Sequence, residues 1–318
     1  MSVNLFAVPL RVASPYLTIL NPGFVWSVAL LAALVYAVRS ARRSGLDARA
    51  MYWGVVGSIL VGLWGSHLLS LFVHGWSGGP LALFQFMQGG KSLYGGLLAG
   101  GLTAGLYFHY RKLPVLAYAD AAMPALALGY AVGRIGCLVN GDDYGTLTSS
   151  PWAVVYPPGT EAYQAHLDRG WISPGAPWSL PIHPVQLYAS LLGLTLFLVL
   201  ARWRPDRQGS RFCSYLVLYG VGRFLLEYFR GDFRSVLGPF SLPQVFSVAF
   251  VFFGAGVWLH WVRNRGRRSS TNAVQDPVEF LHMGSAVAAI ESSDSQIADP
   301  TVRQESDGFG SFEQAVQT

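Results

Sequence analysis

Charged residues are scarce in this chain of 318 residues. Asp, Glu, Lys and Arg together make up only 12% of the sequence, whereas hydrophobic residues make up 52%, and the mean hydropathy is +0.37. A soluble domain carries about 25% charged residues, so this composition excludes an ordinary soluble globular protein. It is typical of a membrane protein.

Cysteine is also scarce. Cys137 and Cys213 both lie in apolar stretches, where cysteine is more often a small core residue than part of a disulfide or a metal site. Neither cysteine is therefore expected to bind a metal, and the rest of the sequence implies no metal and no organic cofactor. The formal net charge is +5, but the arginines occur in short clusters beside apolar runs and form no basic face, so nucleic acid is not an expected partner.

Long apolar stretches, by contrast, are abundant. A helix needs about 20 apolar residues to cross the bilayer core, and stretches near this length recur along the chain. The sequence therefore predicts an all-α, polytopic, multi-pass membrane protein with about seven transmembrane helices, in residues 24–38, 51–73, 93–110, 113–139, 185–201, 212–229 and 242–262.

Basic residues follow every second one of these stretches. Because positively charged connections stay in the cytoplasm, this alternation predicts an N-terminus outside and a C-terminus in the cytoplasm. The first stretch has its positive charges after it, which is unlike a cleaved signal peptide. The four basic connections contain Arg39, Arg42, Arg43 and Arg49; Arg111 and Lys112; Arg202, Arg204, Arg207 and Arg211; and Arg263, Arg265, Arg267 and Arg268.

Two segments differ in composition from the apolar stretches. The longest outer connection, residues 140–182, is rich in Pro, Gly and Trp and is predicted to form a small external loop or cap. From residue 269 onward the sequence is polar and serine-rich, so residues 269–318 are predicted to be a disordered cytoplasmic tail. Residues 1–268 are expected to form one transmembrane domain that includes the cap.

Ionisable residues within the predicted spans mark candidate functional positions, because intramembrane charges usually face the protein interior or a water-filled cavity. Arg134 lies near the outer end of the fourth span, and Asp120 lies toward its cytoplasmic side. Arg223 and Glu227 lie four residues apart on one face of the sixth span, where they could simply neutralise each other. Arg134 has no acidic residue within a turn on its apolar side.

These charges predict an anion site. Two arginines near the outer leaflet, with one glutamate between them, leave a net positive charge, and guanidinium groups bind phosphate bidentately. A phosphate is the anion most readily available at this depth, so charge and depth indicate phospholipid recognition. The alternative from another class is a membrane transporter or channel that uses the same charges as a substrate path.

A second polar group occurs at the start of the fifth span. His183 opens this span, and Gln186 and Tyr188 follow within two turns. A histidine here can take part in proton transfer, but Pro184 beside it is equally typical of a helix start. Both interpretations of His183 stay open from the residues alone.

Glycine surrounds one further polar residue. Tyr94 precedes two glycines in "GGKSLYGGLLAGGL", which lets a backbone or a ligand approach its hydroxyl, so a pocket role is expected for it. The spacing of Gly96 and Gly100 is more typical of helix packing than of a binding site.

Three stretches are together similar to the motifs of bacterial prolipoprotein diacylglyceryl transferases. "GRIGCLVNGDDYG", which begins at Gly133, resembles the family's Gly-Arg-x-Gly-Asn-Phe-x-Asn-Gly-Glu signature and the Gly after it. "HPVQLY", from His183, resembles His-Pro-x-Gln-Leu-Tyr-Glu, and "GVGRFLLEYFR", from Gly220, resembles Arg-Phe-x-x-Glu-Phe-x-Arg. The matches occur in the family's order, and the resemblance extends over residues 22–263.

The resemblance implies an enzyme of the bacterial plasma (inner) membrane. Such an enzyme transfers the diacylglyceryl group of phosphatidylglycerol to the lipobox cysteine thiol of a prolipoprotein, in the first step of lipoprotein modification. Its partners are phosphatidylglycerol and other membrane lipids and a prolipoprotein signal peptide that bears the lipobox cysteine. Arg134 would hold the phosphate or glycerol headgroup, and Arg223 would stabilise the leaving group. The other site positions are Glu227, Asn140, Asp142, Gly145, Gln186 and Tyr188.

The chain departs from the family's pattern at several positions. Tyr94 stands where the family has the histidine of a His-Gly-Gly motif, a leading candidate for thiol activation, and His183 could substitute for it. Leu63 replaces an arginine, Cys137 replaces the signature asparagine, and Ala189 replaces the glutamate after the tyrosine. A divergent relative that keeps the phospholipid pocket, with altered or lost transferase chemistry, is therefore the alternative within the same family.

Overall fold

The computed structural model of the chain describes residues 10–11, 22–74, 93–205, 207–232 and 235–275, and it describes side chains for residues 23–72, 95–205, 207–232 and 238–260. The chain divides into two compact units, Met1–Trp258 and Leu259–Thr318. The predicted tail, residues 269–318, lies mostly outside the described residues. Its first residues continue a helix that ends at Gln275.

Helices make up most of the described residues. The eight described helices are α1 (Pro22–Arg43), α2 (Ala48–His74), α3 (Leu93–Tyr110), α4 (Val115–Asn140), α5 (Glu161–Asp168), α6 (Val185–Arg202), α7 (Ser210–Leu226) and α8 (Leu242–Gln275). A short 3₁₀ turn, Glu227–Phe229, extends α7. Every α-helix except α5 coincides with one of the seven apolar stretches that the sequence predicts as spans.

Five of these helices are long and apolar enough to cross a membrane. The segments that satisfy this criterion are Gly23–Arg43, Ala48–Phe72, Val115–Asn140, Val185–Arg202 and Leu242–His260. The glycine-rich α3 and the 17-residue α7 are not among them. The prediction of a helical protein with several membrane-spanning segments is thus confirmed, with five candidate spans among the described residues.

Glycines allow several helices to approach each other closely. Gly62 and Gly65 of α2 face α3, where a Cβ added at Gly96 would lie 3.3 Å from the carbonyl oxygen of Gly62. A Cβ at Gly100 would lie 2.9 Å from the carbonyl oxygen of Ser58. Gly96 and Gly100 therefore serve helix packing, as their spacing predicts.

A buried carboxylate fixes where α7 begins. Asp120, on α4, accepts hydrogen bonds from the backbone N–H groups of Gly209 (2.6 Å) and Phe212 (2.9 Å). These N–H groups at the start of a helix have no intrahelical partner, so Asp120 caps α7 from a neighbouring helix. This contact helps to set the position of α7, which carries Arg223 near its other end.

The segment predicted as a cap has a small core of its own. Strand β2 (Val154–Val155) pairs in parallel with β1 (Leu10–Arg11), and α5 packs nearby. The buried residues of this core are Tyr144, Val154, Tyr156, Ala162 and Ile182. Two further strands, β3 (Ser235–Leu237) and β4 (Phe240–Ser241), form an antiparallel pair before α8.

Candidate active site

The first residues of the cap connect the ends of three helices. Segment 144–147 lies between the end of α7 and the start of α6, because Gly231 N–H donates to the Tyr144 carbonyl (2.9 Å) and His183 N–H donates to the Thr146 carbonyl (2.9 Å). Gly145 forms a bridge to Arg230. A Cβ at Gly145 would collide with the backbone carbonyl of His183, so only glycine fits. Gly145 thus shapes the rim of the site through its backbone.

The arginines of α4 and α7 line one small cavity. Arg134 and Arg223, which the sequence predicts as the two central residues, both lie on its wall. Arg230, which ends the "RFLLEYFR" stretch, is not among the site residues predicted from the sequence. The lining residues are Tyr130, Arg134, Asp143, Val185, Gln186, Ala189, Arg223, Leu226 and Arg230.

Arg134 has an acidic partner that its sequence neighbourhood does not reveal. Its Nη1 donates to the Oδ2 atom of Asp143 at 2.5 Å. The chain turns back after α4 because Gly141 (φ 74°) and Asp143 (φ 52°) both adopt the left-handed conformation, which is uncommon for a residue other than glycine. This reversal brings the Asp143 carboxylate onto the last turns of the helix that carries Arg134.

Asp143 bridges two arginines. Its second oxygen, Oδ1, accepts a hydrogen bond from Nη2 of Arg230 at 2.5 Å. Burial alone would raise the pKa of this carboxyl, but the two guanidinium groups outweigh burial and hold the pKa of Asp143 well below its ordinary value. Asp143 is therefore ionised at neutral pH, between Arg134 and Arg230.

Arg223 and Glu227 form a buried ion pair. Nη1 of Arg223 lies 2.5 Å from Oε2 of Glu227, and the two residues are only 5% and 3% exposed. Arg230 lies 3.9 Å from the same Glu227 oxygen and also contacts Asp232. The interpretation that Arg223 and Glu227 neutralise each other is thus compatible with their position in the cavity wall.

The charge balance corrects one expectation. The predicted net positive site is wrong for the described residues, because the three arginines are matched by the carboxylates of Asp143, Glu227 and Asp232. Each guanidinium nevertheless has five N–H donors, and Arg134 and Arg223 each use one terminal nitrogen in the ion pairs described. The remaining donors can bind an anion inside a rigid, preorganised network.

Polar residues around Asp142 form the adjoining part of the site. Asn140 donates from Nδ2 to Oδ2 of Asp142 at 2.8 Å, and Gln186 donates from Nε2 to the Asp142 carbonyl at 2.7 Å. Burial raises the pKa of Asp142. The structure therefore brings Asn140, Asp142 and Gln186 together, and Gln186 also lines the cavity.

His183 and Tyr188 form a second cluster. Nε1–H of Trp152 donates to the Tyr188 hydroxyl at 2.7 Å, and this hydroxyl lies 3.1 Å from Nδ1 of His183. The ring of Phe229 packs edge-on against both residues. Neither His183 nor Tyr188 is among the described residues that line the arginine cavity. Burial lowers the pKa of His183, so its imidazole is neutral at pH 7.

The positions at which the chain departs from the family pattern have different environments. Tyr94 is the second residue of α3, but its side chain lies outside the described residues. Leu63 is 49% exposed on the outer surface of the bundle. Ala189 lines the cavity, and Cys137 is buried on α4.

The environment of Cys137 does not fit a metal ion. Its Sγ atom and one carboxylate oxygen each from Asp142 and Asp143 lie within 4.8 Å of one another. Both oxygens of Asp143 already accept hydrogen bonds from arginine, and the positive charges of Arg134 and Arg230 oppose a cation at this place. This cluster is better explained as part of the arginine–carboxylate network.

Comparison with known proteins agrees with the resemblance seen in the motifs. The model of the prolipoprotein diacylglyceryl transferase family matches residues 11–260. The phosphatidylglycerol–prolipoprotein diacylglyceryl transferase of Geobacter sulfurreducens is 34% identical over 247 residues, which cover 73% of this chain and 86% of the relative. The corresponding enzyme of Paraburkholderia xenovorans is 31% identical over 287 residues, which cover 79% of this chain and 92% of the relative. The chain belongs to the prolipoprotein diacylglyceryl transferase family.

Proposed function

We propose that this protein transfers the diacylglyceryl group of phosphatidylglycerol to the lipobox cysteine thiol of a prolipoprotein. Its relatives carry this activity in their names. The observation that carries the proposal for this chain is the convergence of Arg134, Arg223 and Arg230 on one cavity near the ends of α4 and α7. Charges gathered at one end of the helices support group transfer, whereas a transport path would distribute them along the bilayer depth.

The reaction needs stabilisation of a phosphate leaving group. The thiolate sulfur attacks the glycerol carbon that bears the phosphate, a C–S bond forms, and the C–O bond breaks with its electron pair retained by glycerol phosphate. Arg134 binds the phosphate, and Arg223 stabilises the charge that develops on the leaving oxygen. Because Glu227 and Asp143 already orient these guanidinium groups, little reorganisation is needed at the transition state.

The thiol proton must pass to a base. A free cysteine has a pKa near 8.5, so activation speeds the attack at neutral pH. His183 is suited to this role because burial keeps its imidazole neutral and Tyr188 fixes the orientation of its ring. Tyr188 is in turn held by Trp152 of the cap. In this scheme the thiol enters from the side of His183, while the phosphate occupies the arginine cavity. We also propose that Tyr94 lines the substrate pocket.

The remaining polar residues bind or shape the substrate pocket. Asn140 and Gln186 hold Asp142 in place, and together they contact the headgroup glycerol. Gly145 keeps the rim narrow. No metal and no organic cofactor takes part in the scheme.

The proposed arrangement in the membrane follows the positive residues. Seven helices, α1 to α4 and α6 to α8, span the bacterial plasma membrane, with the N-terminus outside and the C-terminus in the cytoplasm. Residues 1–268 form the catalytic domain, the cap at 140–182 lies on the outer surface, and residues 269–318 form a cytoplasmic tail. The cavity then opens at the outer leaflet, where secreted prolipoproteins emerge.

Rescue of a bacterial strain depleted of its own diacylglyceryl transferase tests the function. Thioether formation on a prolipoprotein, read by mass spectrometry, is the expected result. No thioether at confirmed expression and membrane insertion would instead favour the relative that binds phospholipid without transferase chemistry. In that case a Tyr94→His variant tests whether the missing histidine is the cause.

Arg134→Ala and Arg223→Ala should each lower transfer by at least about 100-fold, because a preorganised charge donor to the leaving group contributes on this scale. Both variants should still insert in the membrane. Arg42→Ala, at an exposed position at the end of α1, is the matched control and should keep wild-type activity. Near-normal lipidation by either cavity variant would refute the phosphate role.

A further inference from the structure

Tyr130 carries a polar group that the proposed mechanism does not use. It lies on α4 and lines the arginine cavity. Its hydroxyl is buried, and within the described residues it has no hydrogen-bond partner. Buried polar groups in native proteins are nearly always hydrogen-bonded, so an unpartnered hydroxyl on a residue that lines the cavity indicates that the partner arrives with the ligand.

The ring of Tyr130 is held in a fixed position. The guanidinium carbon of Arg134 lies over the ring, 5.1 Å from its centroid. On another side the ring of Tyr219, from α7, packs edge-on at a centroid distance of 5.4 Å and an angle of 87°. Because both contacts fix the ring plane, they also fix the position of the hydroxyl that the ring carries.

The backbone of Tyr130 lies one helical turn below that of Arg134, the arginine proposed to bind phosphate. Tyr130 precedes Arg134 by four residues, which corresponds to about 6 Å along the axis of an α-helix. The direction is away from the polar turn at Gly141 and toward the apolar middle of α4. In a glycerophospholipid the ester carbonyls lie a few bonds below the phosphate, on the side of the acyl chains.

We infer that the Tyr130 hydroxyl donates a hydrogen bond to an acyl ester carbonyl of the lipid whose phosphate binds Arg134. The inference rests on the proposed function and adds a specificity-determining contact to it. The carbonyl oxygen is an acceptor, whereas the ether oxygen of an alkyl-linked lipid is a much weaker one, so Tyr130 makes the site select ester-linked over ether-linked lipid.

The test compares two lipids with two proteins. Wild-type protein and Tyr130→Phe are assayed for kcat/KM in vesicles that contain either diester or diether phosphatidylglycerol, with a lipobox peptide as the acceptor. The wild type should prefer the diester about fivefold, the ratio typical of one net hydrogen bond between neutral groups. Tyr130→Phe should lose a similar factor with the diester lipid and should use both lipids equally.

Tyr118→Phe is the matched control on the same helix. Tyr118 is buried far from the cavity, and its hydroxyl donates to the Asp47 carbonyl at 3.3 Å. This variant should keep the fivefold lipid preference and should have a lower melting temperature. Tyr130→Phe should melt at the wild-type temperature or above, because it removes a buried hydroxyl that has no partner among the described residues.

The outcomes separate the inference from the function on which it rests. A wild-type preference that persists in Tyr130→Phe would overturn the ester contact alone, and so would equal use of both lipids by the wild type. No transfer by the wild type from either lipid would overturn the proposed function and the ester contact with it. Loss of the preference in Tyr130→Phe only is the supporting result.

Discussion

Single residues at the end of α4 decide how the site is charged. Asp143 bridges Arg134 and Arg230, with one carboxylate oxygen for each guanidinium. A bridging carboxylate has the geometry that a bound phosphate would also use. Asp143 therefore keeps the two arginines at a fixed separation, and its left-handed backbone (φ 52°) is the local cost of this placement.

Asp143→Asn should reduce the free energy of unfolding at pH 7 by about 2 kcal/mol, the scale of hydrogen bonds to charged groups. Asparagine tolerates the left-handed conformation, so the backbone turn is kept. Because the pKa of Asp143 is lower in the folded protein than in the unfolded chain, its contribution is complete above the ordinary aspartate pKa, about 3.9, and is lost as the pH falls below that value.

Denaturation of the detergent-solubilised protein between pH 3 and pH 7 measures this effect. The difference between wild type and Asp143→Asn should be largest near pH 7 and should shrink below about pH 4. Asp168→Asn, at the exposed end of α5, is the control and should show a small difference. If the difference in unfolding free energy between wild type and Asp143→Asn stays constant down to pH 3, the bridging role is contradicted.

At the scale of elements, small residues rather than large apolar ones hold α2 against α3. Gly65 of α2 has no room for a Cβ because Ala99 and the Gly95 carbonyl of α3 lie directly against it. Such close contact suits membrane helices, whose association gains from close packing rather than from the exclusion of water. The low charge and high glycine content of these helices thus have a common cause.

Gly100→Ala should destabilise the protein, whereas the adjacent Gly101→Ala should not. Both changes raise the intrinsic helix propensity equally. A Cβ at position 100 would lie 2.9 Å from the Ser58 carbonyl, whereas at position 101 nothing lies within 4 Å. The expected loss for Gly100→Ala is about 1–3 kcal/mol, as for other overpacked sites, and thermal unfolding in detergent measures it. Equal melting temperatures for the two variants would rule out the tight α2–α3 contact.

For the whole molecule, the distribution of charge supports the proposed orientation in the membrane. Basic residues gather in alternate connections, and the arginine cavity lies near the ends of α4 and α7 that connect to the cap and to the segment before α8. The proposed N-out orientation places both of these ends at the outer surface. The cavity would then face the leaflet from which the lipid is taken.

Single cysteines should report this orientation. Ser44→Cys, between α1 and α2, should resist a membrane-impermeant maleimide in intact spheroplasts and react after lysis, whereas Ser173→Cys, in the cap, should react in both. Both positions are exposed. The native Cys137 and Cys213 are 8% and 2% exposed and give a low background. Labelling of Ser44→Cys alone in intact spheroplasts would reverse the proposed topology.

The amino-acid sequence by itself determined the helical membrane architecture and selected Arg134 and Arg223, which both lie on the wall of the cavity. Apolar stretches of bilayer length are a local property of the chain, so the helices coincide with the predicted stretches. Arg134 and Arg223 could be selected because a charge in an apolar stretch is conspicuous without any knowledge of its neighbours. The motifs around them also indicated the family.

Only the tertiary structure decided which groups meet in the site. Asp143 reaches Arg134 and Arg230 through two left-handed residues, Gly141 and Asp143 itself, and a contact across 87 positions, and no local pattern encodes such a contact. The separation of His183 and Tyr188 from the arginine cavity likewise depends on how segment 144–147 pairs with its neighbours. Packing between helices also decides whether the arginines of the site are balanced by carboxylates and whether the Tyr130 hydroxyl is hydrogen-bonded. The reason is that the possible partners of these groups are distant in sequence.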